Sequence, residues 1–130
     1  MNEYVLDAFA LMTHLNEEQG WERVEELLDQ SATGATQLHI SAINLAEVQY
    51  RLLRTRPDAR EVIATIDTLP LHVASADAYI PDVVELKAKH PISLADCFAA
   101  ALARDLDCPL VTGDPEFQKL KQVIKVEWLR

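Results

Sequence analysis

Four carboxylates have the types and positions to do chemistry together: Asp7, Glu47, Asp96 and Asp114. Asp7 closes the apolar run Tyr4-Val5-Leu6, Glu47 follows Leu38-His39-Ile40-Ser41, and Asp114 follows Leu110-Val111-Thr112 after a single glycine. Asp96 opens a helix instead and lies within the largely apolar run from Ser93 to Leu102, where a charge needs a reason. Two like charges about 4 Å apart repel by about 4 kcal/mol at an effective dielectric near 20, which is large beside a domain's net stability of roughly 5–15 kcal/mol. If the four meet, they must protonate, spread apart or bind a cation. Oxygen-only ligands with no matching histidine or cysteine point to Mg²⁺ or Mn²⁺ rather than zinc. A hard cation that keeps its waters can polarise a phosphoryl oxygen and activate water, so the chemistry is phosphodiester hydrolysis.

The elements that must bring these acids together are legible in the periodicity. Short β-type runs at about 3–7, 37–41, 71–74, 109–112 and 124–128 alternate with longer helical segments. Leu11 and Leu15, then Val24, Leu27 and Leu28, predict two helices before the second run, with Glu17 to Gly20 between them. Leu45, Val48, Leu52 and Ile63, Ile66, Leu69 predict two more, separated at Arg56-Pro57, because proline disfavours helix in the residue before it. Pro81 and Pro91 interrupt the 75–92 region, whose Val83, Val84 and Leu86 still fit a short helix, and 93–106 is the clearest helix of all. Strands separated by helical crossovers predict a mainly parallel sheet of about five strands covered on both faces, a three-layer α/β/α fold. Ligands of such sheets collect at the carboxyl ends of the strands, where the four acids fall.

Each acid taken singly also has a structural reading. Asp7 could cap the following helix; Asn44 with Glu47 and Ser93 with Asp96 have capping-box spacing; Asp114 before Pro115 could be an N-cap followed by proline at the first helical position. Only the shared sheet edge separates the joint reading from four separate caps.

Bulk properties set the class. With 130 residues, 49% of them hydrophobic and 25% charged, the chain reads as one domain over 1–130 able to bury its own core without a metal or disulfide. A net charge of −9 argues against a general nucleic-acid coat protein but not against an enzyme acting on nucleic acid through divalent cations, and a basic partner fits it. No apolar run approaches the roughly 20 residues of a membrane span, and the N-terminus lacks the pattern of a signal peptide, so the expected address is the cytoplasm. Cys97 and Cys108 have no metal-like or redox-like spacing and are expected to be packing residues.

Other residues invite functional readings. Arg51, Arg54, Arg56 and Arg60 form the one dense basic patch, just after Glu47; Arg51 and Arg54 are candidates for RNA phosphates, set against a solvated helix face. His14, His39, His72 and His90 share no metal-type spacing and are expected to be structural or exposed. Trp21 and Trp128 fit core or dimer packing better than base stacking, and Tyr50 is assigned no role.

The run Tyr4-Val5-Leu6-Asp7-Ala8-Phe9-Ala10-Leu11, then Ile43-Asn44-Leu45-Ala46-Glu47-Val48, Ile92-Ser93-Leu94-Ala95-Asp96 and Leu110-Val111-Thr112-Gly113-Asp114-Pro115-Glu116-Phe117 together resemble PIN-domain nucleases, specifically VapC-type toxins. The resemblance spans essentially the full chain in the family's order. It implies an α/β/α PIN-like fold, an acidic Mg²⁺ or Mn²⁺ site, and endoribonuclease activity, as the toxin of a toxin–antitoxin pair, held in check by a cognate antitoxin. It places the family's acidic quartet on Asp7, Glu47, Asp96 and Asp114, as catalytic residues and metal ligands. Asp7 and Asp96 would bind the main cation, and Glu47 and Asp114 a second ion or the attacking water. Glu116 falls where some members carry a further acid, and Thr112 at a frequent polar position that could orient water or Asp114. A homodimer is implied, and the apolar positions of the 45–69 helical pair could receive an antitoxin helix, although core packing explains the same residues.

Other classes are weaker. A phosphotransfer receiver would need a lysine near the last strands, and Val111-Thr112-Gly113-Asp114 offers none; a haloacid-type phosphatase would want an aspartate where Phe9 stands. A non-catalytic PIN-like scaffold binding RNA or protein, and a housekeeping RNA-processing nuclease, remain as alternatives.

Overall fold

The apolar runs become five parallel strands in a computed structural model that describes residues 2–130. They are β1 (Asn2–Leu6), β2 (Thr36–Ser41), β3 (His72–Ala74), β4 (Leu110–Thr112) and β5 (Val126–Trp128), in the order β3-β2-β1-β4-β5. Every neighbouring pair is parallel, with Leu6 opposite Ile40 on one side and Val111 on the other. Among the described residues six α-helices connect and cover the strands: α1 (Ala8–Leu15), α2 (Trp21–Ala32), α3 (Ala42–Thr55), α4 (Ala59–Ile66), α5 (Ile80–Lys89) and α6 (Leu94–Asp105). None is long and apolar enough to cross a membrane.

Strand alternation sorts the core into two faces. Val5 and Leu110 pack with α5 and α6, together with Phe117 and Leu120 of a 3₁₀ turn at Pro115–Leu120. Their neighbours Leu6 and Val111 point the other way, onto Val24, Leu27 and Leu28 of α2 and onto Leu129. A third cluster joins α1, α3 and α4 around Leu11, Ile40, Val48, Leu52 and Ile66. Helices on both faces of an all-parallel sheet make the expected three layers. The middle of helix α6 is apolar all round: every residue from Cys97 to Ala103 is buried, and its alanines let it lie close to the sheet. Both cysteines are buried and unpaired, as expected of packing residues.

Several local details differ from the sequence reading. Pro81 lies in the first turn of α5 and starts that helix rather than interrupting it. Helix α4 ends at Ile66, leaving Leu69 in the following turn but still packed on the core. Arg56 is extended, at φ −131° and ψ 131°, so α3 does stop where Pro57 requires. Trp128 does not reach the core: it is 36% exposed on edge strand β5. His39 is structural, buried with its Nε2 3.1 Å from Glu3 Oε1.

Candidate active site

The strand order places a switch point at β1 and β4. From β1 the chain moves outward through β2 to β3, then crosses back to β4 on the other side, so the connections diverge above the carboxyl ends of β1 and β4. A crevice forms at such a place in open α/β sheets, and Asp7, Thr112 and Asp114 stand at it. Asp7 caps α1: its Oδ1 accepts from Ala10 N–H at 2.8 Å. Its Oδ2 accepts from the Thr112 hydroxyl at 2.5 Å, across 105 residues of sequence. The same hydroxyl oxygen accepts from Asp114 N–H at 3.0 Å, and Asp114 Oδ1 caps the next turn by accepting from Glu116 N–H at 3.0 Å. Capping and convergence are therefore not alternatives at Asp7 and Asp114. The caps are what aim these two acids at one edge, and Thr112 couples them.

Electrostatics extends the cluster to Asp96 and Glu47. Asp7 is only 2% exposed, and burial pushes its carboxyl up to about 7, opposed by the Thr112 and Ala10 hydrogen bonds and reinforced by the charges of Asp96 and Asp114. Asp96, in the first turn of α6 with its N–H held by Ser93 Oγ at 3.1 Å, is pushed up to about 6. Burial is again the main cause, opposed by Ser93 and reinforced by Asp114, Glu47 and Glu116. The Ser93 cap expected from sequence is present. The Asn44 to Glu47 capping box is not, because α3 begins three residues before Glu47's expected cap position would allow: Ser41 is the N-cap, its Oγ accepting from Ile43 N–H at 3.2 Å. Asn44 instead lies inside the helix, buried, and its Nδ2 donates to Ala95 O at 3.0 Å. That bond ties the helix carrying Glu47 to the residue preceding Asp96.

The donor set suits a hard divalent cation. It is all oxygen, and carboxyls raised toward neutrality by burial and by one another are stabilised as anions by a nearby positive ion. Among the described residues no three His, Cys, Asp or Glu side chains close into a ready-made cage. Mg²⁺ does not require one, since it is bound through one or two carboxylates with waters completing its octahedron.

The accessory residues divide. Thr112 is fully buried and bonded to both Asp7 and Asp114. Glu116 is exposed and paired with Lys119 Nζ at 2.6 Å, although its charge reaches Asp96. Arg51 Nη1 lies 3.8 Å from Glu47 Oε2 at the cluster's rim, and Arg54 stacks over the Tyr50 ring at 4.9 Å. Arg56 is engaged by both carboxylate oxygens of Asp58 at 2.9 Å, so it is held away from the patch predicted for it.

Gly113 marks a close approach that periodicity does not show. A Cβ there would stand 2.4 Å from Phe9 Cε1 and 3.0 Å from its Cζ. Gly113→Ala must push the ring aside in the loop linking Thr112 to Asp114, and is expected to cost roughly 1–3 kcal/mol. Chemical denaturation measures it, and Phe9→Ala in the same chain should make the glycine substitution nearly neutral; an equal loss with and without the ring would refute the steric account.

The model of the PIN domain family matches residues 4–123. No curated protein matches the chain by sequence. Among solved structures it is similar to DNA-bound VapBC from Salmonella typhimurium, at 19% identity over 100% of both chains with a TM-score of 0.76. It is also similar to VapBC2 from Rickettsia felis bound to a promoter DNA fragment, at 21% identity over 96% of this chain and 97% of that one, TM-score 0.70. PAE2754 from Pyrobaculum aerophilum is similar at 21% identity over 95% of this chain and 90% of that one, TM-score 0.63. At such identities the likeness is one of fold.

Proposed function

Since the chain belongs to the PIN-domain family, we propose that it is a metal-dependent endoribonuclease, the toxin of a toxin–antitoxin pair, with Asp7, Glu47, Asp96 and Asp114 as its catalytic and metal-binding carboxylates. The observation that carries this reading is the Thr112 hydroxyl joining Asp7 to Asp114 N–H at the switch point of the sheet. A purely structural pair of caps has no need of a buried carboxylate held between two strands, and the fold similarity to VapBC proteins supports the biological setting.

In this reading Asp7 and Asp96 hold Mg²⁺ or Mn²⁺, and Glu47 and Asp114 hold a second ion or orient the attacking water. The bound cation supplies Lewis-acid polarisation of the phosphoryl oxygen and neutralises developing charge. Thr112 fixes the rotamer of Asp7, leaving the remaining lone pairs of that carboxylate for coordination. Asn44 sets the spacing of Glu47 from Asp96 through Ala95. Glu47 and Asp114, both more exposed than Asp7, are suited to orient a water and take its proton as it attacks phosphorus in line. Arg51 and Arg54 lie on the exposed side of α3 beyond Glu47, where the RNA strand would pass.

The partners follow from surface chemistry. A basic segment of an antitoxin would be drawn to the acidic cluster of a chain carrying −9, and exposed Tyr50 and Leu53 on α3 offer it an apolar foothold. Exposed Ile80 and Val84, one turn apart on α5, with Leu94 at the start of α6, are suited to a homodimer contact. Incubating the purified protein with a panel of RNAs should give cleavage that requires Mg²⁺ or Mn²⁺ and stops with EDTA. A non-catalytic scaffold also fits the lack of a closed cage among the described residues, and absence of any metal-dependent cleavage across the panel would decide for it.

A further inference from the structure

Beside the acidic cluster, a cavity of about 150 Å³ is lined by Phe9, Met12, Thr13, Glu18, Arg51 and Arg130. At about 30 Å³ per water it has room for roughly five waters, or one tetrahedral oxyanion with its hydration. Two guanidinium groups face it against one carboxylate, Glu18. Arg51 approaches Glu47 only at 3.8 Å, and no side-chain carboxylate of the described residues ion-pairs with Arg130. Thr13 is fully buried in the cavity wall, and its Oγ1 has no hydrogen-bond partner among the described residues. A helical threonine ordinarily bonds the carbonyl one turn back, and an unsatisfied buried hydroxyl is costly, so an acceptor bound in the cavity would draw this hydroxyl toward it.

Arg130 is delivered to the cavity by a chain of specific contacts. Strand β5 pairs with β4, Leu129 N–H donates to Thr112 O at 2.9 Å, and the Leu129 side chain is buried against α2. Gly20, at φ +99°, presses so close to this segment that a Cβ would stand 2.7 Å from Leu129 O. Arg130 Nε then donates to Gln19 O at 3.2 Å, and its Cζ stands 4.8 Å from the Phe9 ring centre. Thr112, which holds Asp7, thus also anchors the segment that carries Arg130.

We propose that this cavity is a phosphate subsite, in which Arg51, Arg130 and the Thr13 hydroxyl take a backbone phosphate of the nucleic-acid strand next to the one being cut. The assignment rests on the nuclease reading of the adjacent acids and names how the strand is held. A guanidinium is suited to a phosphate through paired N–H donors, and the Thr13 hydroxyl, turned toward the cavity, adds a third donor. The two arginines line the cavity from different elements, Arg51 from α3 and Arg130 from the segment after β5.

The test reads binding apart from cleavage: anisotropy of a fluorescent single-stranded RNA oligonucleotide in EDTA over a series of salt concentrations. Arg130→Gln should weaken binding by roughly three- to tenfold and reduce the slope of log K against log salt by about 0.7, the value for one lost phosphate contact on a single strand. Thr13→Val should weaken binding about threefold while raising the melting temperature by roughly 3 °C, since it removes an unsatisfied hydroxyl; a merely structural threonine would not move the two in opposite senses. Lys125→Gln, at a residue paired with Asp107, controls for general loss of charge. Binding and slope unchanged in both Arg130→Gln and Thr13→Val, or an equal loss in Lys125→Gln, would overturn the subsite. If the parent protein binds through Arg130 and Thr13 yet cleaves nothing with metal present, the nuclease reading fails and the subsite stands; cleavage with unaffected variants gives the reverse.

Discussion

Asp96→Asn is expected to remove metal-dependent RNA cleavage by at least about a hundredfold, since even residues that only orient metal ligands contribute 10- to 100-fold. The fold should survive. Asp96 packs in the first turn of α6 beneath a Ser93 cap that bonds its backbone and not its carboxylate alone, and an amide fills the same volume. The metal-free variant should be no less stable than the parent, because burial and the charges of Asp114, Glu47 and Glu116 all disfavour the ionised carboxylate there. Any advantage should appear as pH rises through about 6, where the parent loses its proton. Retained, cleanly metal-dependent cleavage by Asp96→Asn would remove this residue from the site.

The second large effect is on stability. Asp7 in the folded chain holds its proton up to about 7, whereas an aspartate in the unfolded chain loses it near 3.8. Between these two values the folded state binds more protons than the unfolded one, so the metal-free protein is most stable below about pH 4 with respect to this group and loses stability until the carboxyl is ionised above about 7. At about 1.36 kcal/mol for each unit of separation, the loss is on the order of 4 kcal/mol. Asp7→Asn keeps the cap oxygen for Ala10 N–H and has no charge to bury. Its melting temperature should therefore match that of the parent near pH 4 and exceed it increasingly toward pH 8, while cleavage is lost. Saturating Mg²⁺ should narrow the gap by stabilising the parent alone. A constant difference between the two proteins across this range would show that Asp7 is not buried as an isolated acid.

How much of this was legible in the residues can be judged element by element. The five strands and their parallel arrangement follow from apolar runs spaced by helical segments, and the strand-end acids could be placed on one edge before any coordinates. The Asn44 role could not, because the pattern from Ser41 onward offers two cap residues three apart, and only packing against Ala95 selects the first. Thr112 was readable as a polar position able to orient Asp114, but its donation to Asp7 joins strands that become neighbours only through the crossover. Thr13 and Arg130 carry no local signal: one sits among ordinary helix residues, and the other depends on where the last strand docks. Of the two readings for Trp128, core or dimer packing, exposure on the edge strand removes the first and leaves the second, and an edge position has no signature in the residues themselves.

The pairing of the first strand with the fourth has a consequence for biosynthesis. The hydroxyl that holds Asp7 is made 105 residues later, and β1 stays without its second neighbour until Leu110 and Val111 emerge. Contacts of such long range form late and slowly, so neither the bond that holds Asp7 nor the second edge of β1 is in place until the fourth strand has been made.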